Sequence, residues 1–278
     1  MTPLSDGLNA IASEILDGKG VPGRIKTGFH SIDNLAGGLY GELLTVLAGR
    51  PSMGKSALAL NIAVNAAKCG NKVAYFSLED ARPFLQRRVL ASLAGVPLSA
   101  IIHGNVQSEH FPAVLDAVTQ VGAMPFYLSD RGQTVAQIRQ SAWALHVTEG
   151  LDFAVVDHLG YVADKGKEYE VVSEATRQFA FLAKELKIPL LLLVQLNRAA
   201  GTKEDPNVPT LKNLRGSGKI EEDARAVWFA HRPWHYDSSA DPHEFQAHIA
   251  KNSHGQTGVA LLFADFARMR FRELETGY

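Results

Sequence analysis

The sequence has 278 residues, of which 46% are hydrophobic, enough for one large globular domain and above the hydrophobicity of a disordered chain. The 28 basic and 29 acidic residues give a formal net charge of -1, which argues against a protein that coats nucleic acid through an overall basic surface. Cys69 is the only cysteine, so no intramolecular disulfide can form. No secretory signal or long apolar span is present in the sequence, and a cytoplasmic location is expected.

The amino-terminal stretch predicts one short helix. Leu4, Leu8, Ile11 and Ile15 repeat at helical spacing and form a single apolar stripe. The glycine-rich segment that follows indicates a linker. We therefore divide the chain into a helix and linker at residues 1–25 and a core domain at residues 26–278.

Short apolar runs alternate with longer helical patterns along the core. The predicted strands are residues 43–48, 73–77, 126–129, 153–157, 190–194 and 226–230. Continuous apolar strands separated by helices predict an α/β fold with a mainly parallel sheet covered on both faces. Three further strand patterns, at 245–250, 258–263 and 268–272, are joined by short polar loops, so this part is expected to be antiparallel.

One helix carries a clear start signal. Thr134 and Gln137 have the spacing of a capping box, and Ile138, Ala142 and Leu145 then repeat at helical intervals. A helix beginning after Thr134 is therefore predicted.

A glycine-flanked loop predicts phosphate binding. Residues 49–56, GRPSMGKS, fit the pattern G-x-x-x-x-G-K-[ST] between a predicted strand and a predicted helix. In such a loop the backbone N–H groups wrap a phosphate, the Lys55 ammonium reaches the β and γ phosphates, and the Ser56 hydroxyl coordinates Mg²⁺. An ordinary glycine turn is the alternative, but the flanking elements favour nucleotide binding. The residues predicted to bind the nucleotide are Gly49, Arg50, Pro51, Ser52, Met53, Gly54, Lys55 and Ser56.

Three polar side chains close separate predicted strands. Asp157 ends one strand, where its carboxylate can join Ser56 in holding Mg²⁺. Glu79 follows another strand and is a candidate to orient the attacking water, while the Gln195 amide can sense a γ phosphate. Because the carboxyl ends of parallel strands meet at one edge of a sheet, these groups are expected to converge. For each of them, a strand-end turn residue or a solvated side chain is the alternative.

Four sequence runs resemble the ATPase domain of DnaB-type replicative helicases, which has a RecA-like P-loop fold. The runs are AGRPSMGKSALALNIAVNAA at 48–67, FSLED at 76–80, LAKELKIPLLLLVQLNR at 182–198 and LRGSGKIEEDA at 214–224. The resemblance extends from about Lys26 to the end of the chain. The run TGFHSIDNLAGGL at 27–39 suggests a wider kinship with recombinase and circadian members of the RecA-like class.

The resemblance implies a ring, typically a hexamer, that binds ATP and Mg²⁺ between subunits. It implies translocation along single-stranded DNA in the 5′ to 3′ direction during replication, with primase or a helicase loader as partners. In that picture Asp157 is the Walker B acid, Glu79 is the catalytic base and Gln195 couples the nucleotide to the channel. Arg232 resembles a family arginine at the nucleotide site.

The same resemblance assigns a DNA-binding loop. The long polar stretch at 199–213 leads into a glycine-rich segment whose cations and free N–H groups suit phosphates. A solvated loop before a helix is the alternative. The residues predicted to bind DNA are Arg215, Gly216, Ser217, Gly218 and Lys219.

The sequence departs from the family pattern at a late strand. Family members carry Lys-x-Arg there, with both cations reaching into the neighbouring subunit's ATP site; Lys251 is kept, but Ser253 stands where the arginine finger is expected. An arginine finger contributes on the order of 10³ to 10⁵ in rate. Either another cation substitutes or turnover is slow. The candidate substitutes, which otherwise form a solvated strand face, are His254, Arg268, Arg270 and Arg272.

The second departure is length, since only about 25 residues precede the ATPase core, where the family usually has a collar domain. This fits a natural short form or a truncated piece. The amino-terminal stripe then has two candidate partners, the adjacent subunit and the chain's own core. Two functions follow as hypotheses: a ring helicase, or a RecA-like ATP-binding regulator or helicase partner with weak hydrolysis. A recombinase-type or clock-type ATPase is a third hypothesis, which RPSMGK and QLNR disfavour.

Overall fold

A computed structural model describes residues 5–17, 21, 23–131, 133–161, 168–196 and 208–274. Of residues 10, 161, 168–170 and 215–219 only the backbone is described. The helices are α1 (Leu8–Leu16), α2 (His30–Ala36), α3 (Lys55–Lys68), α4 (Arg82–Ala94), α5 (Leu98–His103), α6 (Phe111–Ala123), α7 (Val135–Glu149), α8 (Glu168–Leu186) and α9 (Gly218–Asp223). The strands are β1 (Leu44–Gly49), β2 (Val73–Ser77), β3 (Phe126–Ser129), β4 (Phe153–Asp157), β5 (Leu190–Gln195), β6 (Ala226–His231), β7 (Glu244–Asn252), β8 (Gly258–Asp265) and β9 (Arg270–Glu273).

The described strands form one sheet in the order β3-β2-β4-β5-β1-β6-β7-β8-β9. From β3 to β6 all neighbours are parallel, and from β6 to β9 they are antiparallel. The α/β fold with antiparallel carboxyl-terminal strands is therefore confirmed. Long connections through helices allow the parallel pairs, whereas the short loops after β7 permit only hairpins.

The sheet has a buried apolar layer on each face. On β1, Leu47 belongs to the layer that α2 and α3 cover, whereas Val46 and Ala48 belong to the opposite layer. Phe179 of α8 and Ile138 of α7 cover that second layer. The strand is buried throughout because successive side chains point to opposite covered faces.

The last strand begins later than the sequence indicates. Residues 266–269 form a turn in which Met269 has a φ of 54°, so β9 starts at Arg270 and not at Arg268. The Arg268 guanidinium pairs with the Asp265 carboxylate at 2.9 Å and also donates to the Gly95 carbonyl at 2.8 Å. This residue is therefore held by its own subunit and is not part of an alternating strand face.

The predicted capping box is present at the start of α7. The Gln137 N–H donates to Thr134 Oγ1 at 3.3 Å, and the Thr134 N–H donates to Gln137 Oε1 at 2.9 Å. These two bonds satisfy backbone donors that the first helical turn leaves unpaired. The helix consequently begins at Val135, as the sequence predicts.

The stripe of α1 does not pack on the described core of its own chain. Leu8, Ile11 and Ile15 are 52%, 51% and 71% exposed. Packing on the chain's own core, one of the two partners considered for this stripe, is therefore not what this structure has. Among the helices that the structure describes, none is both long and apolar enough to cross a bilayer.

Candidate nucleotide-binding site

A cavity of about 330 Å³ opens at the carboxyl edge of the parallel strands. Two register pairs bring the loop and strand ends together: Gly49 is opposite Gln195, and Ser77 is opposite Asp157. The residues that line the cavity are Pro51, Ser52, Gly54, Lys55, Ser56, Ala57, Glu79, Asp80, Arg88, His158, Gln195, Phe266 and Met269. The predicted convergence of loop and strand ends is thus present in the fold.

The loop from β1 to α3 needs glycine at one point. Gly54 has a φ of 88°, and a Cβ atom at this position would lie 2.8 Å from the Phe266 ring. An L-residue would therefore meet both backbone strain and a steric clash. Ser52 also has a positive φ, of 62°, so the loop contains a second residue in the left-handed region before the helix begins.

Lys55 lies at the floor of the cavity. Its side chain is buried, and its ammonium donates to the Arg50 carbonyl at 3.0 Å. Burial lowers the pKa of Lys55 to about 8, while the nearby Asp157 and Glu79 carboxylates raise it. A bound triphosphate would add negative charge beside the ammonium and favour its protonated form.

Ser56 lines the cavity, and the buried Asp157 lies directly behind it. Ser56 Oγ donates to Asp157 Oδ1 at 3.0 Å, and the Tyr75 hydroxyl donates to Oδ2 at 2.6 Å. Burial raises the pKa of Asp157 to about 6, although both hydrogen bonds act to lower it. A hydroxyl and a buried carboxylate are ligands that suit Mg²⁺, whose charge would offset the desolvation of Asp157.

Glu79 and Gln195 face the same space from two other strand ends. The Glu79 carboxylate is about half exposed and lies 3.3 Å from Nε2 of His158. Gln195 is exposed at the end of β5, directly beside the start of the phosphate loop. Both side chains are therefore free to approach a nucleotide in the cavity.

Several lining or supporting residues were not singled out from the sequence. Tyr75 supports Asp157 from inside β2, and His158 directly follows Asp157. Arg88 forms a salt bridge with Asp80 at 2.5 Å at the cavity wall. Their positions next to the FSLED run and to the end of β4 are the signals that could have identified them.

Arg232 lies next to the phosphate loop. Its guanidinium donates to the Ser52 carbonyl at 3.5 Å and lies 3.8 Å from the centroid of the Phe266 ring. Burial lowers the pKa of Arg232. The Arg50 guanidinium, within the loop, instead donates to the Tyr236 hydroxyl at 2.8 Å.

Lys251 lies at the end of the sheet opposite to the cavity, where the parallel strands begin. It pairs in register with Val227, near the amino end of β6, and its ammonium donates to the Glu221 carbonyl. It does not line the cavity of its own chain. Ser253 donates to the Arg225 carbonyl through both its N–H and Oγ, each at 3.0 Å.

The segment predicted to be a DNA-binding loop is helical in its backbone. Residues Leu211–Ser217 form a 3₁₀-helix that continues directly into α9. The buried Leu214 and partly buried Leu211 pack into the core on this face, which outweighs the local preference of glycine for a loop. The side chains of Arg215 to Lys219, and residues 199–207 before them, lie outside what the structure describes.

A family model described as DnaB-like helicase C terminal domain matches residues 24–273. The replicative DNA helicase DnaB of Leifsonia xyli is 33% identical over 284 residues, covering 95% of this chain and 62% of that protein. The replicative DNA helicase DnaC of Bacillus subtilis is 32% identical over 245 residues, covering 86% of this chain and 54% of that protein. The chain therefore spans less than two thirds of the length of these relatives.

Two solved structures share the fold. One, described as an ATPase domain, has a TM-score of 0.90 at 24% identity and covers 99% of this chain and 100% of that chain. The other is a DnaB-like replicative helicase, described with its interactions with primase. It has a TM-score of 0.87 at 24% identity, and the match covers 99% of this chain and 68% of that chain. The similarity supports the RecA-like P-loop fold predicted from the sequence runs.

Proposed function

Because this chain belongs to the family of DnaB-like helicase C-terminal domains, we propose that it is an ATP-hydrolysing motor that translocates on single-stranded DNA in replication. One observation carries the proposal. Lys55 and Ser56 at the start of α3, Asp157 at the end of β4, Glu79 after β2 and Gln195 at the end of β5 meet at one cavity or its immediate wall. A cavity that only held a nucleotide would not need a carboxylate in the position of Glu79, beyond the phosphate loop.

Each residue has a distinct part in the proposed hydrolysis. The Lys55 ammonium and the N–H groups of the loop bind the β and γ phosphates, and Ser56 with Asp157 would hold Mg²⁺. When bound, Mg²⁺ supplies charge neutralisation at the phosphate oxygens. Glu79 orients the attacking water and accepts its proton, while Gln195 senses the γ phosphate from the end of β5.

We propose that Arg232 contacts the same nucleotide from the loop side. Its guanidinium is held between the Ser52 carbonyl and the Phe266 ring, both at the rim of the cavity. A partly buried cation at this place would balance triphosphate charge. The Phe266 face fixes the guanidinium plane, which leaves its remaining N–H groups available to phosphate or ribose oxygens.

We propose a ring, typically of six copies, as the working assembly. Lys251 lies far from its own cavity along β6, so its catalytic contribution would be made in a neighbouring copy. The exposed stripe of α1 supports docking of this helix on an adjacent copy, because three large apolar side chains remain uncovered. In the ring, Arg215 to Lys219 would bind single-stranded DNA, and primase or a loader would be further partners.

The test combines turnover with assembly. ATPase activity is measured with and without single-stranded DNA, and mass is measured by light scattering with and without ATP. The motor predicts DNA-stimulated turnover and an ATP-dependent ring. Lys55→Ala is the control that should lose nucleotide binding. Absence of stimulated turnover in protein that assembles would contradict the motor.

One observation favours the alternative, an ATP-binding regulator with weak hydrolysis. Ser253 occupies the position where the resemblance places the arginine finger, and both of its donors bind the Arg225 carbonyl. A serine cannot supply a cation to a neighbouring site. Tight ATP binding without DNA-stimulated turnover would support this alternative.

A further inference from the structure

His158 is a buried histidine that borders the nucleotide cavity. It directly follows Asp157 at the end of β4 and is only 4% exposed. Its Nε2 atom lies 3.3 Å from Oε2 of Glu79, the carboxylate proposed to act on the attacking water. The ring therefore contacts the catalytic group from the side away from solvent.

The hydrogen bond on the other ring nitrogen indicates the tautomer of His158. The Gly160 N–H donates to Nδ1 at 3.1 Å, so Nδ1 acts as the acceptor and carries no proton. A neutral imidazole then has its proton on Nε2, the atom that faces Glu79. Gly160 allows this contact because a Cβ atom there would lie 3.0 Å from Cε1 of the ring.

The bond that Nδ1 accepts from the Gly160 N–H is the geometric reason to assign a neutral ring. A neutral ring with one defined donor can orient a carboxylate without cancelling its charge. Glu79 thus keeps the negative charge that a general base requires.

Glu79 needs such support because its side chain is about half exposed. A flexible carboxylate at a strand end samples many rotamers, and only a few place an oxygen in line with the γ phosphate. A donor fixed on Oε2 restricts those rotamers and leaves Oε1 available for the water. In the nucleotide-free structure Nε2 and Oε2 are 3.3 Å apart, but the Nε2–H group is not aligned on Oε2 as a hydrogen bond. Catalytic hydrogen bonds are often poorly aligned before substrate binds and align in the complex with substrate.

We propose that His158 is a positioning residue for Glu79: once nucleotide is bound, its Nε2–H group holds one carboxylate oxygen so that the other faces the attacking water. This inference rests on the proposed ATPase function and adds a residue to it. His158 touches neither the nucleotide nor the water in this role.

The kinetic test compares three substitutions at this position. His158→Ala is expected to lower kcat on the order of 10- to 100-fold, with the KM for ATP and the affinity for a fluorescent ATP analogue unchanged. His158→Gln places an amide N–H near the position of Nε2 and should restore most of the lost kcat. His158→Asn is shorter, does not reach Glu79 and should not restore it. His103→Ala, at an exposed histidine away from the cavity, is the matched control.

Two further measurements separate positioning from a merely structural role. In a Glu79→Gln background, adding His158→Ala should lower kcat no further, because the positioned carboxylate is already gone. Nitrogen-15 NMR of the histidine ring should show the proton on Nε2 in the nucleotide-free protein. The NMR result does not depend on turnover, so it still tests the inference if wild-type protein proves inactive and the proposed function fails.

Three results would overturn the proposal. The first is a wild-type or raised kcat in His158→Ala, since His158 would then be idle or would restrain Glu79. The second is an equal loss of kcat in the Ala and Gln variants together with weaker nucleotide binding. The third is a ring protonated on Nδ1.

Discussion

Lys55 lines the cavity and Asp157 is buried near it, and burial disfavours the ionised form of both side chains. The lysine is easier to deprotonate than usual, and the aspartate is harder to ionise than usual. Ionisation of either side chain therefore costs free energy in the nucleotide-free protein. We expect a bound triphosphate to stabilise the Lys55 ammonium and Mg²⁺ to stabilise the Asp157 carboxylate. Two predictions for single residues follow from these opposite pKa shifts.

The first concerns nucleotide affinity and pH. In the free protein the pKa of Lys55 is about 8, whereas bound phosphates would raise it, so binding takes up a proton above pH 8. Affinity for a fluorescent ATP analogue should be constant below pH 8 and should fall by up to about tenfold per pH unit above it. Lys55→Arg stays charged and should not show that decline. A pH-independent wild-type affinity up to pH 10 would contradict the assignment of Lys55.

The second concerns the stability of the empty protein. The pKa of Asp157 is raised to about 6 from an ordinary 3.8, so its contribution to stability is present at low pH and is lost as the pH rises through 6. Asp157→Asn removes this buried charge and should raise the free energy of unfolding at pH 7 by as much as about 3 kcal/mol. The same variant should lose Mg²⁺-dependent hydrolysis.

The measurement is urea unfolding of both proteins at pH 4 and pH 7, alongside ATPase assays. The stabilisation should shrink at pH 4, where Asp157 is largely protonated in the folded wild-type protein. An asparagine variant that is less stable at pH 7 would show that the Ser56 and Tyr75 hydrogen bonds outweigh the desolvation of the carboxylate.

Among the secondary-structure elements, the conformation of the loop between β1 and α3 depends on the packing of Gly54 against the β8–β9 hairpin. Gly54 caps the start of α3 in a left-handed conformation, and a Cβ atom at this position would lie 2.8 Å from Phe266 of the turn between β8 and β9. The phosphate loop is therefore supported by residues more than two hundred positions later in the chain. A change at Gly54 should disturb both the backbone and this contact.

Gly54→Ala tests that dependence against a matched glycine. Gly70 has a similar φ of 85°, but nothing lies within 4 Å of a Cβ added there. Gly70→Ala should cost about 1 kcal/mol of stability through backbone strain alone. Gly54→Ala should cost about 1–3 kcal/mol in addition through the clash with Phe266, and it should weaken ATP binding. Equal losses in urea unfolding would show that Phe266 yields without cost.

In the molecule as a whole, different polar side chains lie at the carboxyl ends and at the amino ends of the parallel strands. The carboxyl edge of the parallel strands holds the nucleotide cavity, while Lys251, Ser253 and Arg225 lie toward the opposite end of β6. A ring would bring this second group to a neighbour's cavity. The Arg225 side chain is exposed and has no hydrogen bond or ion pair with any other described residue.

Ser253→Arg tests whether the missing cation limits turnover. Ser253 is exposed, so the larger side chain can be accommodated without displacing the core. In assembled protein we expect ATPase activity to rise at least about tenfold, because an arginine finger contributes on the order of 10³ to 10⁵ in rate. Ser253→Gln, which is long but uncharged, is the control. An unchanged rate would indicate that a neighbouring cation such as Arg225 already serves there.

Local sequence patterns were sufficient to predict the positions of the strands along the chain, the change from parallel to antiparallel pairing and the start of α7. These features depend on periodicity, glycine spacing and side chains within one turn, all of which can be read along the chain. The sequence also predicted that Asp157, Glu79 and Gln195 would converge, since that follows from parallel topology. It missed the helical backbone at Leu211–Ser217, where burial of leucines overrides glycine.

Contacts between residues far apart in the sequence became apparent only in the folded molecule. Tyr75 on Asp157, His158 on Glu79 and Phe266 against Gly54 join different elements, and no local pattern specifies such pairs. The pKa shifts of Lys55 and Asp157 also arise only on folding, because desolvation depends on how many elements close over a charge. The sequence determined which polar residue types stand at the strand ends, and tertiary packing determined the pKa shifts of Lys55 and Asp157 and the contacts between the groups.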